Sequence, residues 1–224
     1  GDNTVGIIDI SSADPQKFVY TSHLVVGLRM DTSRVHGNRD NNCGNCLRGT
    51  VFSPDSKYLF VGRMGGGGIT CFSMPEGKLV GSFSAFCATP RHLDIGPSGS
   101  WLYAGSNSTG FISRVRLQDV ITALGSAEGR AINGPEGEKL YVGKGLRTIA
   151  ISQDGKYLYA AVNGESQLAQ VDIASWRVVR KVAVSPFSVG LAVSPDGTHV
   201  VVTSQGKGEQ GGGNSIEVFR TTIQ

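Results

Sequence analysis

Four copies of one segment decide the fold. They read LRGTVFSPDSKYLFVG at 47–62, PRHLDIGPSGSWLYAG at 90–105, LRTIAISQDGKYLYAA at 146–161 and SVGLAVSPDGTHVVVT at 188–203. Each copy places a four-residue turn between an alternating apolar stretch and a second stretch rich in β-forming residues. Proline presets the second turn position, aspartate bonds its own backbone and glycine accepts a positive φ, so each turn closes a β-hairpin.

The hairpins recur at the period of a propeller blade. Their turns begin 43, 56 and 42 residues apart, and a period of roughly 40–50 residues is typical of four-stranded blades. Third strands are predicted at 68–73, 110–116, 167–173 and 214–220. Fourth strands are predicted at 78–83, 138–142 and 177–184. We therefore predict an all-β protein, a β-propeller of four-stranded antiparallel blades, of which about four to five are present.

The long interval and the two chain ends depart from this period. An insertion at 117–137 starts with LQDVITAL, whose apolar residues have helical spacing, and continues as a Gly-rich loop. Partial blades are expected at 1–27 and 188–220, and complete blades at 47–86, 90–143 and 146–185. Together they give seventeen strands, in one propeller domain or fragment over 1–224. Since open strand edges invite pairing, we expect missing chain or a partner subunit to cover them.

Composition excludes several classes of protein. The chain has 21 Lys and Arg against 18 Asp and Glu, a net charge of +3 without a basic run, so we expect no nucleic-acid partner. No stretch approaches eighteen consecutive apolar residues, so we expect no membrane span. Its 32 glycines in 224 residues are about twice the ordinary usage, which favours many short strands joined by tight turns.

Three arginines share one position of the repeat. Arg48, Arg91 and Arg147 each lie five residues before their turn, where the fourth copy has Val189. The first strand of a propeller blade lines the central channel, so we expect these side chains around one mouth of it. Their guanidinium groups suit carboxylate, phosphate or sugar-acid ligands, and His92 adds a titratable group there. The alternative is a structural role, in which arginine packs between blades and bonds loop carbonyls.

Two further motifs are candidate sites. Arg63 and Gly65, Gly66 and Gly67 belong to the run RMGGGG, whose backbone amides predict an anion nest, with a flexible turn as the alternative. Cys43 and Cys46 form a CxxC pair that with Cys87 and His36 or His92 would give a zinc site. A second CxxC is missing, so a disulfide or reduced thiols is the favoured interpretation, and we assign no metal and no cofactor.

The repeat resembles the YVTN/YncE-type propeller family. SPDG at 194–197, KYLYAAVN at 156–163 and GDNTVGIIDI at 1–10 match the turn and strands of that family's repeat, and the likeness extends from residue 2 to residue 220. The resemblance implies a ring of about seven blades, of which this chain is a part, and a bacterial, extracytoplasmic setting. A five-bladed ring with an irregular closing blade is the alternative. The likeness does not fix the function, because propellers host unrelated chemistries.

Three functions compete at this stage. The sequence has no G-x-S-x-G elbow, no HExxH and no paired carboxylates at an inferable site, which favours a non-enzymatic propeller that binds a partner protein or an anionic glycan at the channel mouth. The resemblance extends to sugar lactonases, for which Arg91, His92 and Arg147 would be counterparts, although no acidic residue can be assigned to join them. The third hypothesis is a structural subunit of a surface assembly, whose open blade edges make the contacts.

Overall fold

The protein is an array of antiparallel sheets arranged as propeller blades. The computed structural model describes residues 3–31, 33, 44–206 and 213–221. Within this part of the chain, blade 1 consists of β1 (Thr4–Asp9) and β2 (Val19–Val25). Blade 2 consists of β3 (Leu47–Phe52), β4 (Tyr58–Arg63), β5 (Ile69–Ser73) and β6 (Lys78–Phe83).

The remaining blades follow the same plan. Blade 3 contains β7 (Pro90–Ile95), β8 (Trp101–Ser106), β9 (Phe111–Arg116) and, after the insertion, β11 (Glu138–Tyr141). Blade 4 contains β12 (Leu146–Ile151), β13 (Tyr157–Val162), β14 (Gln167–Asp172) and β15 (Arg177–Ala183). Blade 5 contains β16 (Ser188–Val193), β17 (His199–Ser204) and β18 (Ser215–Arg220), with no fourth strand among the described residues. The predicted all-β fold of four-stranded antiparallel blades is confirmed.

The turns that define the repeat are held by hydrogen bonds of a serine and an aspartate. In blade 4 the Ser152 hydroxyl donates to Asp154 at 2.7 Å and accepts the Tyr157 amide at 2.9 Å, while Asp154 accepts the Lys156 amide at 3.0 Å. The equivalent bonds recur at Ser53 and Ser194. Donors on the carboxylate lower the pKa of Asp154. These aspartates therefore hold turns, as their position in the sequence predicts.

The first strands of successive blades lie side by side around the channel. A Cβ on Gly49 would lie 2.7 Å from the Leu93 amide nitrogen, so only glycine lets β3 approach β7 this closely. Between β12 and β16 the Thr148 hydroxyl donates to the Val189 carbonyl at 2.6 Å. Direct contact between neighbouring inner strands fixes where side chains at the start of each strand can lie.

The hydrophobic core is divided among the gaps between blades. Alternating strand residues face one neighbouring blade or the other, so each sheet buries both faces. Phe60 and Leu102 lie in the cluster between blades 2 and 3, and Ile149 and Leu158 in that between blades 3 and 4. Smaller clusters join blades 1 and 2 and blades 4 and 5. Apolar burial across these gaps is the main attraction between blades.

The insertion in blade 3 covers the outer edge of blade 2. The predicted helix is confirmed as α1 (Leu117–Gly125), which buries Leu117, Val120 and Leu124. The sequence did not predict the strand that follows, β10 (Ala131–Ile132), which pairs in parallel with β6. It brings the described strands to eighteen, one more than predicted, and covers the end of an exposed edge. With nine residues, α1 is the only α-helix in the described ranges, and it cannot span a bilayer.

Candidate functional site at the channel mouth

A β-bulge occurs at the same place in all four inner strands. The pairing of β7 with β8 passes from Pro90–Ser106 directly to His92–Gly105, which leaves Arg91 as an extra residue. The register shifts in the same way at Arg147 in β12 and at Val189 in β16. A bulge disrupts the ladder locally and redirects the side chain of the extra residue. The arginine position of the repeat is therefore also a position of altered backbone geometry.

In β3 the bulge has the same one-residue shift of register. Its pairing with β4 passes from Leu47–Arg63 to Thr50–Val61, so Arg48 and Gly49 share the place opposite Gly62. Arg48, Arg91 and Arg147 thus occupy equivalent bulges at the start of three neighbouring inner strands. The structure brings them to the same end of the channel on successive blades, while the fourth bulge, in blade 5, carries Val189.

The arginines rest against the blades beside them. Arg91 donates from Nη1 to the Met64 sulfur at 3.3 Å, which connects β7 to the glycine-rich loop of blade 2. The Arg147 guanidinium carbon lies 5.4 Å from the centre of the Phe187 ring, in the segment that leads into β16. Arg48, Arg91 and Arg147 are all partly buried. Arg91 and Arg147 therefore have a packing role, and partial burial leaves all three residues some solvent access, so the structural and ligand-binding interpretations are compatible.

The glycine-rich loop packs tightly against the residues before β3. The Met64 amide donates to the Cys46 carbonyl at 3.2 Å, and the Gly65 amide donates to the Asn45 carbonyl at 3.0 Å. A Cβ on Gly65 would collide with the Gly44 carbonyl. Close packing therefore accounts for this glycine and occupies two of the amides that an anion nest would use. Gly66 and Gly67 complete the loop, and the nest stays a prediction.

Arg63 is the charged residue of this loop. Its backbone amide donates to the Gly68 carbonyl at 2.9 Å, and its Nε atom is buried without a hydrogen-bond partner. Burial lowers the pKa of its guanidinium from the ordinary value. Because Arg63 pairs with Leu47 across the first rung of the blade, its positive charge lies close to the arginine bulges.

His92 is accompanied by a carboxylate that sequence reasoning missed. Asp94 lies two residues further along β7, and strand alternation places both side chains on the face towards blade 4. Asp94 accepts the Ile151 amide at 3.1 Å, and burial raises its pKa from 3.8 to about 6. Burial also lowers the pKa of His92, whose Nδ1 has no hydrogen-bond partner. The alternation of β7 is the signal that would have found Asp94.

The cysteines fall into two kinds. Cys46 is disulfide-bonded, while Cys71 and Cys87 are buried free thiols. Burial raises the pKa of Cys87 to about 11 and that of Cys71 to about 12, so neither is a reactive thiolate at neutral pH. A disulfide-bonded Cys46 has no thiolate to give a metal. Cys43 and His36, the other residues of the minority zinc option, lie outside the described residues.

Comparison with known proteins supports the fold alone. No protein-family profile and no curated protein matches the chain. A protein from Lactobacillus plantarum superimposes with a TM-score of 0.71 at 18% identity, covering 99% of this chain and 62% of that one. Hydrazine synthase from Kuenenia stuttgartiensis gives 0.62 at 21% identity, covering 83% and 53%.

A lactonase-like structure is also among the neighbours. A candidate 6-phosphogluconolactonase from Bacteroides uniformis superimposes with a TM-score of 0.60 at 22% identity, over 78% of this chain and 50% of that chain. The chain thus spans about half to three fifths of the length of these three solved structures. Together they support the propeller fold, whereas the likeness to the YVTN/YncE family remains a resemblance of sequence.

Proposed function

We propose that the channel mouth binds a small sugar acid or an anionic glycan. The observation that carries this proposal is the equivalence of Arg48, Arg91 and Arg147, each at the bulge of its inner strand. Guanidinium groups bind carboxylate and phosphate oxygens through paired hydrogen bonds. Partial burial beside low-dielectric walls strengthens such bonds relative to those of freely solvated side chains.

Val189 makes the charge of the proposed site asymmetric. Since blade 5 has valine at the position that is arginine in blades 2, 3 and 4, the positive charge is concentrated on one side of the mouth. An anionic group would lie against blades 2 to 4, with the uncharged part of the ligand towards Val189 and Phe187. The expected ligand is therefore an anion with an uncharged polyol or sugar ring.

Isothermal titration calorimetry tests this function. We expect 6-phosphogluconate to bind saturably, and Arg91→Gln and Arg147→Gln each to weaken binding at least about tenfold, as removal of one charged hydrogen bond predicts. Arg177→Gln is the matched control, because Arg177 is exposed on the outer strand β15. Equal affinity in wild type and both mouth variants would contradict the proposal. So would equal binding of inorganic sulfate, gluconate and 6-phosphogluconate.

Lactone hydrolysis is the second candidate function. Two observations favour it: the lactonase-like structural neighbours from Bacteroides uniformis and Bacteroides fragilis, and the partly buried Asp94 on the same strand face as His92. In this reaction water adds to the lactone carbonyl, the ring C–O bond breaks, and the ring oxygen takes a proton to give the open-chain acid. A carboxylate with a pKa near 6 is suited to accept the proton of the attacking water.

Turnover of 6-phosphogluconolactone, followed by the acid it releases, tests hydrolysis. We expect Asp94→Asn to lower kcat by at least about a hundredfold, the ordinary range for a general base, and to leave 6-phosphogluconate binding within about twofold. Glu136→Gln, in the exposed loop of the insertion, is the control. Binding without turnover in the wild type would leave the first proposal standing and exclude the second.

A further inference from the structure

The mouth end of blade 3 carries two aromatic rings that contact each other and are open to solvent. Phe111 and Tyr141 are paired across β9 and β11, and their ring centres lie 5.4 Å apart in an edge-to-face arrangement. Phe111 is 36% exposed and Tyr141 is 47% exposed. A single exposed apolar side chain is ordinary, whereas contiguous exposed rings indicate a binding surface.

The tyrosine ring is held against the turn between β8 and β9. A Cβ on Gly110 would lie 3.0 Å from Tyr141 Cε2, so the ring packs directly over the glycine. The Gly110 amide donates to the Ser106 carbonyl at 3.0 Å, and its carbonyl accepts the Val142 amide at 2.9 Å. The ring is therefore positioned by ordered backbone, which lowers the entropy cost of binding a ligand on it.

The same turn carries a group of hydroxyls close to the arginine bulge of blade 3. Thr89 Oγ1 lies 3.0 Å from Ser106 Oγ and 2.8 Å from Ser108 Oγ, and Thr109 donates to Ser106 at 2.7 Å. Thr89 comes two residues before Arg91. Ser108 and Thr109 are exposed, so their hydroxyls can exchange hydrogen bonds with the hydroxyls of a sugar.

Arg91 and the two rings lie on the same side of blade 3, the side towards blade 2. Arg91 donates to Met64 of blade 2. Ala104 belongs to the core cluster between blades 2 and 3 and pairs with Ser113, and strand alternation places Phe111 on the same face as Ser113. The guanidinium, the hydroxyls and the rings therefore follow one another outward over the end of a single sheet.

We call this surface the blade 3 strip. It crosses the sheet in the order β7, β8, β9 and β11, and three strand spacings make it about 14 Å long. Its members are Thr89, Arg91, Ser108, Thr109, Phe111 and Tyr141.

The charge beside the blade 3 strip is positive. Lys144, in the loop from β11 to β12, is exposed and forms no ion pair among the residues that the structure describes. Glu165 accepts the Lys144 amide at 2.8 Å and lies 3.4 Å from Lys181 Nζ, so this carboxylate is already compensated. Together with Arg91, Lys144 favours an acidic ligand.

We propose that the blade 3 strip extends the channel mouth into a site for an acidic oligosaccharide. One acidic unit meets the arginines of the mouth, and the chain continues outward, past Ser108 and Thr109, to a sugar ring stacked on Tyr141 and Phe111. This inference rests on the proposed function, because the first unit occupies that same site. A single sugar acid is too short to reach both ends of a strip of about 14 Å, so the strip assigns a chain of sugar units as the ligand class.

Calorimetry with galacturonic acid and tetragalacturonic acid tests the inference. We expect the tetramer to bind at least about tenfold more tightly than the monomer, because it adds the contact with the rings. Tyr141→Ala should weaken tetramer binding about tenfold and leave monomer binding within about twofold, whereas Tyr141→Phe keeps the ring and should preserve both affinities. Tyr20→Ala, which removes an exposed tyrosine on the outer strand of blade 1, is the matched control. Circular dichroism checks that each variant is folded.

Four results would overturn the inference. They are no saturable binding of the tetramer, equal affinity for monomer and tetramer, equal tetramer affinity in wild type and Tyr141→Ala, and equal loss in Tyr141→Ala and Tyr20→Ala. Equal binding of the neutral maltotetraose would contradict the acidic ligand class.

Arg91→Gln separates this inference from the proposed function. It should weaken the binding of 6-phosphogluconate, galacturonic acid and tetragalacturonic acid alike, because all three place an anionic group at the mouth. If 6-phosphogluconate binding depends on Arg91 while the tetramer is indifferent to Tyr141, the proposed function stands and the blade 3 strip is excluded. If no acid depends on Arg91, both fail.

Discussion

The interfaces on the two sides of blade 4 differ at equivalent positions. Towards blade 3, the guanidinium of Arg114 is enclosed between the Trp101 and Trp176 rings and bonded to Glu138. Towards blade 5, Tyr157 and Gln170 occupy the matching positions and line a cavity of about 250 Å³. The backbone register is the same on both sides, so the contrast comes from a few side chains.

This contrast shows that a repeat fixes the sheets and leaves the gaps between them free to vary. Between blades 2 and 3 the same position holds the buried Cys71, next to Phe60, in an apolar cluster. From blade 2 to blade 5 the three gaps therefore differ: the first is apolar, the second is cationic and aromatic, and the third contains a cavity lined by Tyr157 and Tyr159. Stability is expected to concentrate in the first two gaps, because side chains fill them closely.

The largest effect on stability is expected from removing the Trp176 ring from the gap between blades 3 and 4. Trp176→Ala removes a ring that contacts Arg114 and lies 6.2 Å from the Tyr103 ring centre. Urea unfolding should show a loss of about 3 kcal/mol, the ordinary cost of truncating a packed tryptophan. Trp176→Phe should cost less than about 1.5 kcal/mol, because the indole N–H has no hydrogen-bond partner to lose. Equal losses in the two variants would contradict the packing role.

A pH-dependent difference is expected next, and it belongs to the blade 3 side alone. Asp94 bonds β12 through the Ile151 amide, whereas the equivalent residue of blade 4 is Ala150. The pKa of Asp94 is raised from 3.8 to about 6 when folded. The unfolded chain therefore releases this proton at lower pH than the folded protein, and stability falls as the pH rises from about 4 to about 6.

Asp94→Asn should remove this loss while keeping an acceptor for the Ile151 amide. Above pH 6 we expect the variant to be more stable than wild type by up to about 3 kcal/mol, from 1.36 kcal/mol per pKa unit. Below pH 4 the two should unfold at the same urea concentration. Urea midpoints between pH 3.5 and 7.5 measure the difference, with Glu136→Gln as control. A constant offset between wild type and Asp94→Asn would contradict the assigned titration.

What the sequence predicts well is local. The hairpins follow from turn residues that act within five positions, as the Ser152–Asp154–Tyr157 bonds illustrate. The helix α1 follows from apolar spacing within one segment. The sequence did not predict β10, whose two residues pair with the preceding blade. It did not predict the bulges either, because they lie inside strands that otherwise alternate regularly. The pairing of β10 depends on a contact between residues far apart in the chain.

The residues of the channel mouth follow from the sequence in the same way. The repeat alone aligns Arg48, Arg91 and Arg147, because equivalent positions of a repeat lie at equivalent places in the fold. Asp94 could also have been identified from the sequence, since it alternates with His92 along β7.

The smallest effect on stability is expected from two arginine substitutions, one on each side of blade 4. Arg114→Gln gives blade 3 the residue that blade 4 already has at this position, and it removes the bonds to Glu138 and Ile173 together with two aromatic contacts. The free energy of unfolding should fall by about 2 kcal/mol and no more, because Glu138 is half-exposed and water can hydrate its carboxylate once Arg114 is replaced. Arg180→Gln, on the side towards blade 5, should change stability by less than about 0.5 kcal/mol. Urea unfolding of both variants measures the difference, and similar costs would mean that blade 4 is bound alike on both sides.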